Sequence, residues 1–327
     1  MDDVIRLLDE AVAGSEEGLG DRYLGTLLGC AAGNCLGLPV EGWSSDRIRR
    51  HHPNGLLEID PKERNRPWDD DLAQTVVLAD ALLHTDGFSA ERFAQALIQW
   101  RGENGRGIGV QTSRVIDLLA AGDPVHLASE KQWIGAKELF GEGSASNGAV
   151  MRCSPLALRW RRNPQRLIQD TRSSTLVTHY DERCFWTALA VNIAILHALY
   201  GTELRLTGLA KGMTAAGAPA GVTDAIISTD RAELENLQLD EWPAIGYTVR
   251  AMQAALWAMQ QPAEFRTVVV ALVNAGGDTD TNGAVVGAIM GARVGLQQLP
   301  VEWRDCVRDP HLLRERAHHL FQRSSEK

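Results

Sequence analysis

The sequence predicts an all-α protein. Three observations carry that prediction. Apolar residues recur at helical spacing along most of the 327 residues, alternating strand patterns are scarce, and glycines fall every fourth residue in two segments, which lines them along one helix stripe. Hydrophobic residues make up 44% and charged residues 23%, which excludes wholesale disorder and leaves enough apolar side chain for a large core. Lys plus Arg is 33 against 42 Asp plus Glu, a net charge of −9. That balance argues against nucleic acid or an anionic membrane as the main partner.

The elements follow in order. The opening MDDVIRLLDE is acidic and amphipathic, without the basic-then-apolar order of a signal peptide, so a cytoplasmic location is expected. The first long helix, Arg22 to Leu38, carries Gly25, Gly29, Gly33 and Gly37. Gly42 to Pro67 is polar and turn-rich and reads as a long loop. A helix at Leu72 to Leu83 comes next, then one opened by Ser89 as cap with Glu91 in its first turn. Ala121 to Trp133 and Gly141 to Asn147 read as further loops. Helical windows return at Ala149 to Arg159, Glu182 to Tyr200, Leu204 to Ala215 and Ala244 to Met259. Ala263 to Ala275 is another, with Pro262 placed where a helix begins. Its Val268-Val269-Val270 is β-rich, but the length of the window favours helix. Thr281 to Leu296 repeats the stripe with Gly283, Gly287, Gly291 and Gly295, and His311 to Phe321 comes last. No Ser/Gly/Pro-rich linker divides the chain, so a single domain over 1–327 is expected.

Trp186 to Tyr200 is nearly apolar, but Asn192 and His197 interrupt it, and it falls short of the ~18 residues of a membrane span. Cys30, Cys35, Cys153, Cys184 and Cys306 are scattered and form no CxxC pair, so reduced, mostly buried thiols are expected. A glycine inside a helix costs about 1 kcal/mol relative to alanine. Four in one stripe therefore point to close backbone packing, which makes a rigid platform for whatever the helix ends carry.

Those ends carry carboxylates. Trp68-Asp69-Asp70-Asp71 precedes one helix, and Gly276-Gly277-Asp278-Thr279-Asp280-Thr281 precedes the second glycine stripe. One aspartate suffices for a cap; three adjacent ones repel and exceed what a cap needs. If the two segments converge, five carboxylates and the Thr281 hydroxyl offer hard oxygen ligands suited to Mg²⁺ or Mn²⁺. The alternative is two sets of solvated caps. Zinc is disfavoured: His51-His52 and His318-His319 are adjacent pairs without i, i+4 spacing, and no HExxH occurs. Gly141 to Gly148 is a small-residue loop whose backbone N–H groups suit an anion, with a plain connection as the alternative. No Walker loop and no GxSxG is present. In Thr178-His179-Tyr180-Asp181, Asp181 is placed to cap a helix and His179 either supports structure or contacts a ligand.

Taken together and in order, these segments resemble the ADP-ribosylglycohydrolase family from about Asp21 to about Leu296. GTLLGCAAGNCLGLPVEG (25–42) resembles the family's first helix, which ends on a glutamate; WDDDLAQTVVLADALL (68–83) resembles its first metal motif. GSASNGAVMRCSPLAL (143–158) resembles its asparagine–glycine substrate loop, and AGGDTDTNGAVVGAIMGARVG (275–295) its second metal motif. The resemblance implies a compact orthogonal helical bundle around a dinuclear site of two divalent cations, Mg²⁺ or Mn²⁺. It implies hydrolysis of the glycosidic bond between ADP-ribose and a modified protein side chain, arginine first, which reverses mono-ADP-ribosylation. The metal ligands it implies are Asp69, Asp70, Asp71, Asp278, Asp280 and Thr281. Glu41, Asp70 and Asp71 would be catalytic, and Gly143, Ser144, Asn147, Gly148 and His179 would contact substrate. The implied partner is an ADP-ribosylated protein or an ADP-ribosyl small molecule. Hydrolysis of a free ADP-ribosyl or N-ribosyl metabolite, or binding of ADP-ribose without turnover, are the competing readings. Three departures from the family pattern stand out. Asp69-Asp70-Asp71-Leu72 replaces Thr-Asp-Asp-Thr, Asn34 replaces an aspartate, and Gly107 stands where relatives often carry an aspartate near the scissile bond.

Overall fold

Two glycine-striped helices lie back to back in antiparallel contact. The computed structural model describes residues 1–84, 87–141, 143–262 and 264–325. Within them the helices run α1 Asp2–Ala11, α2 Leu19–Gly37, α3 Ser45–His51, α4 Asp70–Leu82, α5 Ala90–Glu103, α6 Val110–Ala120 and α7 Val125–Phe140. They continue with α8 Ser154–Trp160, α9 Pro164–Leu176, α10 Glu182–Tyr200, α11 Leu206–Ala215, α12 Ala220–Thr229 and α13 Thr248–Met259. The last are α14 Phe265–Asn274, α15 Thr279–Val294, α16 Val301–Cys306 and α17 Pro310–Arg323. Among the described residues the only sheet is a two-residue antiparallel pair, Trp43–Ser44 against Gly276–Gly277. The all-α expectation holds.

The α2–α15 contact explains the glycines. A Cβ on Gly25, Gly29 or Gly33 would stand 2.3, 2.3 or 1.9 Å from the carbonyl oxygen of Gly291, Gly287 or Gly283. Any side chain there would hold the backbones apart. At the end of the seam Gly37 faces Thr279, whose Oγ1 donates to the Gly37 carbonyl at 2.8 Å. Gly295 closes the other end of the seam: its backbone packs on Gly25, it ends α15 with φ +80, and a Cβ there would meet the Asp21 carboxylate. Helices α10, α13 and α14 pack on α15, and α17 packs on α2. From Cys184 to Tyr200 every residue of α10 is buried, which explains why that helix is apolar all round.

Several boundaries correct the sequence reading. Residues 42–67 are not one loop: Ser44 Oγ accepts from the Arg47 N–H and caps α3, and a 3₁₀ turn follows at Pro61–Asn65. Most of 121–133 is helix, because α7 starts directly after Pro124. The window at 149–159 is helical only from Ser154; Pro155 has no N–H for the Met151 carbonyl, so the ladder cannot start earlier. Helix α13 begins at Thr248 because Gly246, at φ +77, breaks the helical path before it. Pro262 is not in the first turn of α14, whose ladder opens with Val268 N–H donating to Glu264; the expected start, Ala263, lies outside the described residues. Two segments, Leu19–Val40 and Glu182–Tyr200, are long and apolar enough to cross a membrane by length and composition, contrary to the run-length reading. Their most apolar windows are 83% and 94% buried inside the protein, where they serve as core. No disulfide forms among the cysteines; four thiols are buried and Cys306 is half-buried.

Candidate active site

The ends of the glycine seam place the acidic segments. The Gly37 end of α2 leads through a 3₁₀ turn to Glu41, and the antiparallel start of α15 brings Asp278, Asp280 and Thr281 alongside. Helix α4 packs on both α2 and α15 and delivers Asp69, Asp70 and Asp71. Oxygens of Asp69, Asp71 and Asp280 lie within 4.8 Å of one another. The two acidic segments, far apart in sequence, therefore converge.

Neither Asp69 nor Asp278 caps its helix through the side chain, so the cap reading of these segments fails. Asp69 Oδ1, Asp71 Oδ1 and Asp280 Oδ1 are buried with no hydrogen-bond partner. A buried ionised carboxylate without a partner is costly, so such a set needs protons or a cation. Burial, reinforced by the neighbouring carboxylates, pushes Asp70, Asp71 and Asp280 well above the usual carboxylate range. Burial pushes Asp69 up to about 6, opposed by the Asn34 hydrogen bond and by the Arg106 charge. The Asn34 amide donates to Asp69 Oδ2 at 3.2 Å and Asp71 Oδ2 at 3.3 Å, so this departure bridges two carboxylates without adding a charge. Three converging oxygen donors with orphaned lone pairs suit a hard divalent cation, and the residues present fit one.

The carboxylates line one end of a cavity of about 690 Å³. Glu41, Asp70, Asp71, Asp278, Asp280 and Thr281 reach its wall; Asp69 stands just behind that wall, with one oxygen toward Asp71 and Asp280 and the other on Asn34. Partial desolvation, and then the Asp278 charge, raises the Glu41 carboxyl above its ordinary value. Gly107 also lines the cavity, at φ +79, and a Cβ there would approach Asp70 Oδ1 to 2.7 Å. No side chain fits at that position while Asp70 keeps its place.

The opposite wall is the small-residue loop. Gly143, Ser144, Asn147 and Gly148 all reach the cavity, whereas Glu142 lies outside the described residues. Gly143 packs where a Cβ would meet the Trp133 ring at 2.0 Å, and Gly148 where a Cβ would meet His179 at 2.7 Å. Asn147 Nδ2 donates to Asp278 Oδ2 at 2.8 Å, which joins the loop to the acidic end. His179 is fully buried and is absent from the cavity wall. Its Nε2 pairs with Ser146 Oγ at 2.9 Å and its Nδ1 with Thr178 Oγ1 at 2.7 Å, and burial holds its pKa well below the ordinary value. It stands behind the loop and supports it. Asp181 caps α10 as expected, its Oδ1 accepting from the Arg183 N–H.

Sequence reasoning missed two supports. Gln111, at the start of α6, accepts from Ser144 and Ser146 through Oε1 and donates to the Thr178 carbonyl. Arg152 is buried and donates to Gln74 Oε1 and Thr178 Oγ1, placing a guanidinium beneath Asp70. Burial lowers its pKa to about 10, so it stays charged at neutral pH. Arg152 lies within the 143–158 stretch, but nothing in the sequence singles out either side chain; their partners are 22 to 78 residues away.

Comparison with known proteins adds to this geometry. The family model for ADP-ribosylglycohydrolase matches residues 15–327. The chain is 27% identical over 312 residues to ADP-ribosylarginine hydrolase Tri1 of Pseudomonas putida (strain GB-1), covering 94% of this chain and 79% of that one. It is 26% identical to ADP-ribosylhydrolase ARH3 of Xenopus tropicalis, over 92% of this chain and 95% of the other. A solved structure titled as an ADP-ribosylglycohydrolase-related protein complex superposes with a TM-score of 0.75 at 26% identity, over 94% of this chain and 99% of that one.

Proposed function

The chain belongs to the ADP-ribosylglycohydrolase family of hydrolases, and from that premise we propose that it removes ADP-ribose from modified arginine side chains of proteins in a reaction that needs divalent cations. The observation that carries this reading is the buried, unpartnered oxygen triad of Asp69, Asp71 and Asp280 at one end of a cavity walled by Gly143, Ser144 and Asn147. Asp69, Asp70, Asp71, Asp278, Asp280 and Thr281 would hold two ions, Mg²⁺ or Mn²⁺. When bound, such ions supply a hold on ribose hydroxyls and an increased acidity of water.

The chain's own groups do the rest. Backbone N–H groups of the loop meet the pyrophosphate, with Gln111 holding Ser144 and Ser146 and with His179 supporting Ser146 from behind. The distal ribose then lies at the acidic end. Cleavage passes through an oxocarbenium-like state, and the surrounding carboxylates stabilise its positive charge. Glu41, whose raised pKa makes it a stronger base than an ordinary glutamate, takes the proton from the attacking water. Asn147 holds Asp278 beside it.

Gly107 favours a second reading of the linkage. Position 107 itself offers no carboxylate to face a guanidinium, which suits a neutral O-linked side chain such as serine. The test is a hydrolysis panel over arginine-linked, serine-linked and small ADP-ribosyl substrates, including O-acetyl-ADP-ribose, run with Mg²⁺, with Mn²⁺ and with excess chelator. Release of ADP-ribose that stops in chelator is expected. Full activity in chelator would refute the metal requirement.

A further inference from the structure

The segment between α12 and α13 separates the cavity from a second groove of about 330 Å³. Gly221, Ala225 and Ser228 of α12 and Val249 and Arg250 of α13 line that groove, and Trp242, Pro243 and Tyr247 belong to both hollows. Trp242 is 85% exposed, the most exposed large apolar side chain among the described residues. The segment that holds it out is tied down on both sides. Asp240 Oδ2 accepts from the Ser45 N–H at 2.7 Å, and the Gly246 carbonyl accepts from the Asn147 N–H at 3.0 Å. Gly277 packs so tightly under Leu239 that a Cβ there would stand 2.0 Å from the Leu239 oxygen. The tryptophan is therefore presented by anchored backbone.

Its position relative to the chemistry points to an occupant. A Cβ on Gly246 would lie 3.8 Å from Asp278 Oδ2, so this ridge adjoins the acidic end of the cavity. If the cavity is the ADP-ribosyl hydrolase site, on which this step rests, the side chain released at that end is still attached to its polypeptide. That polypeptide is too large for the cavity and must cross the rim. We infer that an extended segment of the modified protein runs over Trp242 into the groove between α12 and α13, with an apolar residue next to the modified one seated against the indole. Tryptophan is enriched among the side chains that carry most of the binding energy at protein interfaces. The groove's small floor admits backbone closely, and Arg250 and Glu241 offer one charge of each sign at its edges.

Gly221 provides the test, because a Cβ there meets no atom within 4 Å and it takes no part in the cavity. Gly221→Tyr sets a bulky ring at the wall of the groove from a Cβ that meets no clash. The kcat/KM is measured on an ADP-ribosylated peptide and on the ADP-ribosyl derivative of the free amino acid in the same linkage. The expected result is a loss of about tenfold or more on the peptide and no change on the small compound, with Trp242→Ala also hurting the peptide more. Equal loss on both substrates, or no loss on the peptide, overturns the inference. So does a wild-type protein that cleaves the small compound but no peptide, an outcome that leaves the hydrolase reading intact. A wild-type protein that cleaves neither overturns both.

Discussion

Asp280 combines an unpartnered oxygen with burial and four acidic neighbours, which together raise its carboxyl well above the ordinary range. Its charge works against the fold unless a cation is present, so Asp280→Asn should separate stability from activity. With excess Mn²⁺, turnover should fall by at least about 10²-fold, while the melting temperature in chelator stays level or rises. Steady-state assays paired with thermal melts in EDTA read this out; a chelated variant melting several degrees below wild type would contradict it. Gly107 makes the complementary case. Its φ of +79 and the 2.7 Å approach of a Cβ to Asp70 Oδ1 predict that Gly107→Ala costs about 1–2 kcal/mol in urea unfolding and lowers kcat by displacing Asp70. Unchanged kcat would show that the position of Asp70 is not critical.

At the level of helices, glycine means different things in different places. Gly287 sits in the seam, where a Cβ would be 2.1 Å from the Gly29 oxygen, whereas Gly135 lies within α7 with nothing inside 4 Å. Gly287→Ala should therefore destabilise by at least about 1–3 kcal/mol through overpacking, and Gly135→Ala should stabilise by about 0.5–1 kcal/mol. Urea titrations of the two variants decide it; opposite signs are required. The seam was legible in sequence because its period of four appears twice, and both acidic segments were legible because their carboxylates exceed what a cap needs. The short α3 was not, since seven residues give too little periodicity to outweigh a polar composition. Arg152 and Gln111 were invisible for another reason. A buried polar side chain has meaning only through partners that the fold supplies, and Gln74 and Ser144 lie 78 and 33 residues away from them. His179 was visible as a candidate, but the chain alone could not tell a wall residue from one standing behind the wall.

For the whole molecule the acidic cluster links stability to both pH and metal. The folded-state pKa of Asp69 is raised to about 6, and those of Asp70, Asp71 and Asp280 are raised well above the ordinary value. A raised carboxyl contributes stability that is complete below its unfolded value, near 3.9, and is lost as pH rises through the folded value. In chelator, then, the melting temperature should climb as pH falls from 7 to 5. Saturating Mg²⁺ or Mn²⁺ should raise it at pH 7 and lose that effect below about pH 6, where protons compete for the same oxygens. Melts on a pH-by-metal grid test this; a chelated protein that is most stable at pH 8 would contradict it. The helix pair that gathers these carboxylates has a property of its own. A contact repeating every four residues is degenerate: sliding α15 along α2 by one repeat, about 6 Å, would again set glycine against glycine while carrying Glu41 out of step with Asp278. The repeat alone cannot count its own notches. Thr279 breaks the tie, because it stands where the next glycine would fall and its hydroxyl latches the Gly37 carbonyl. One threonine thus works as the end stop of a vernier, and the alignment of the reaction centre is inherited from it.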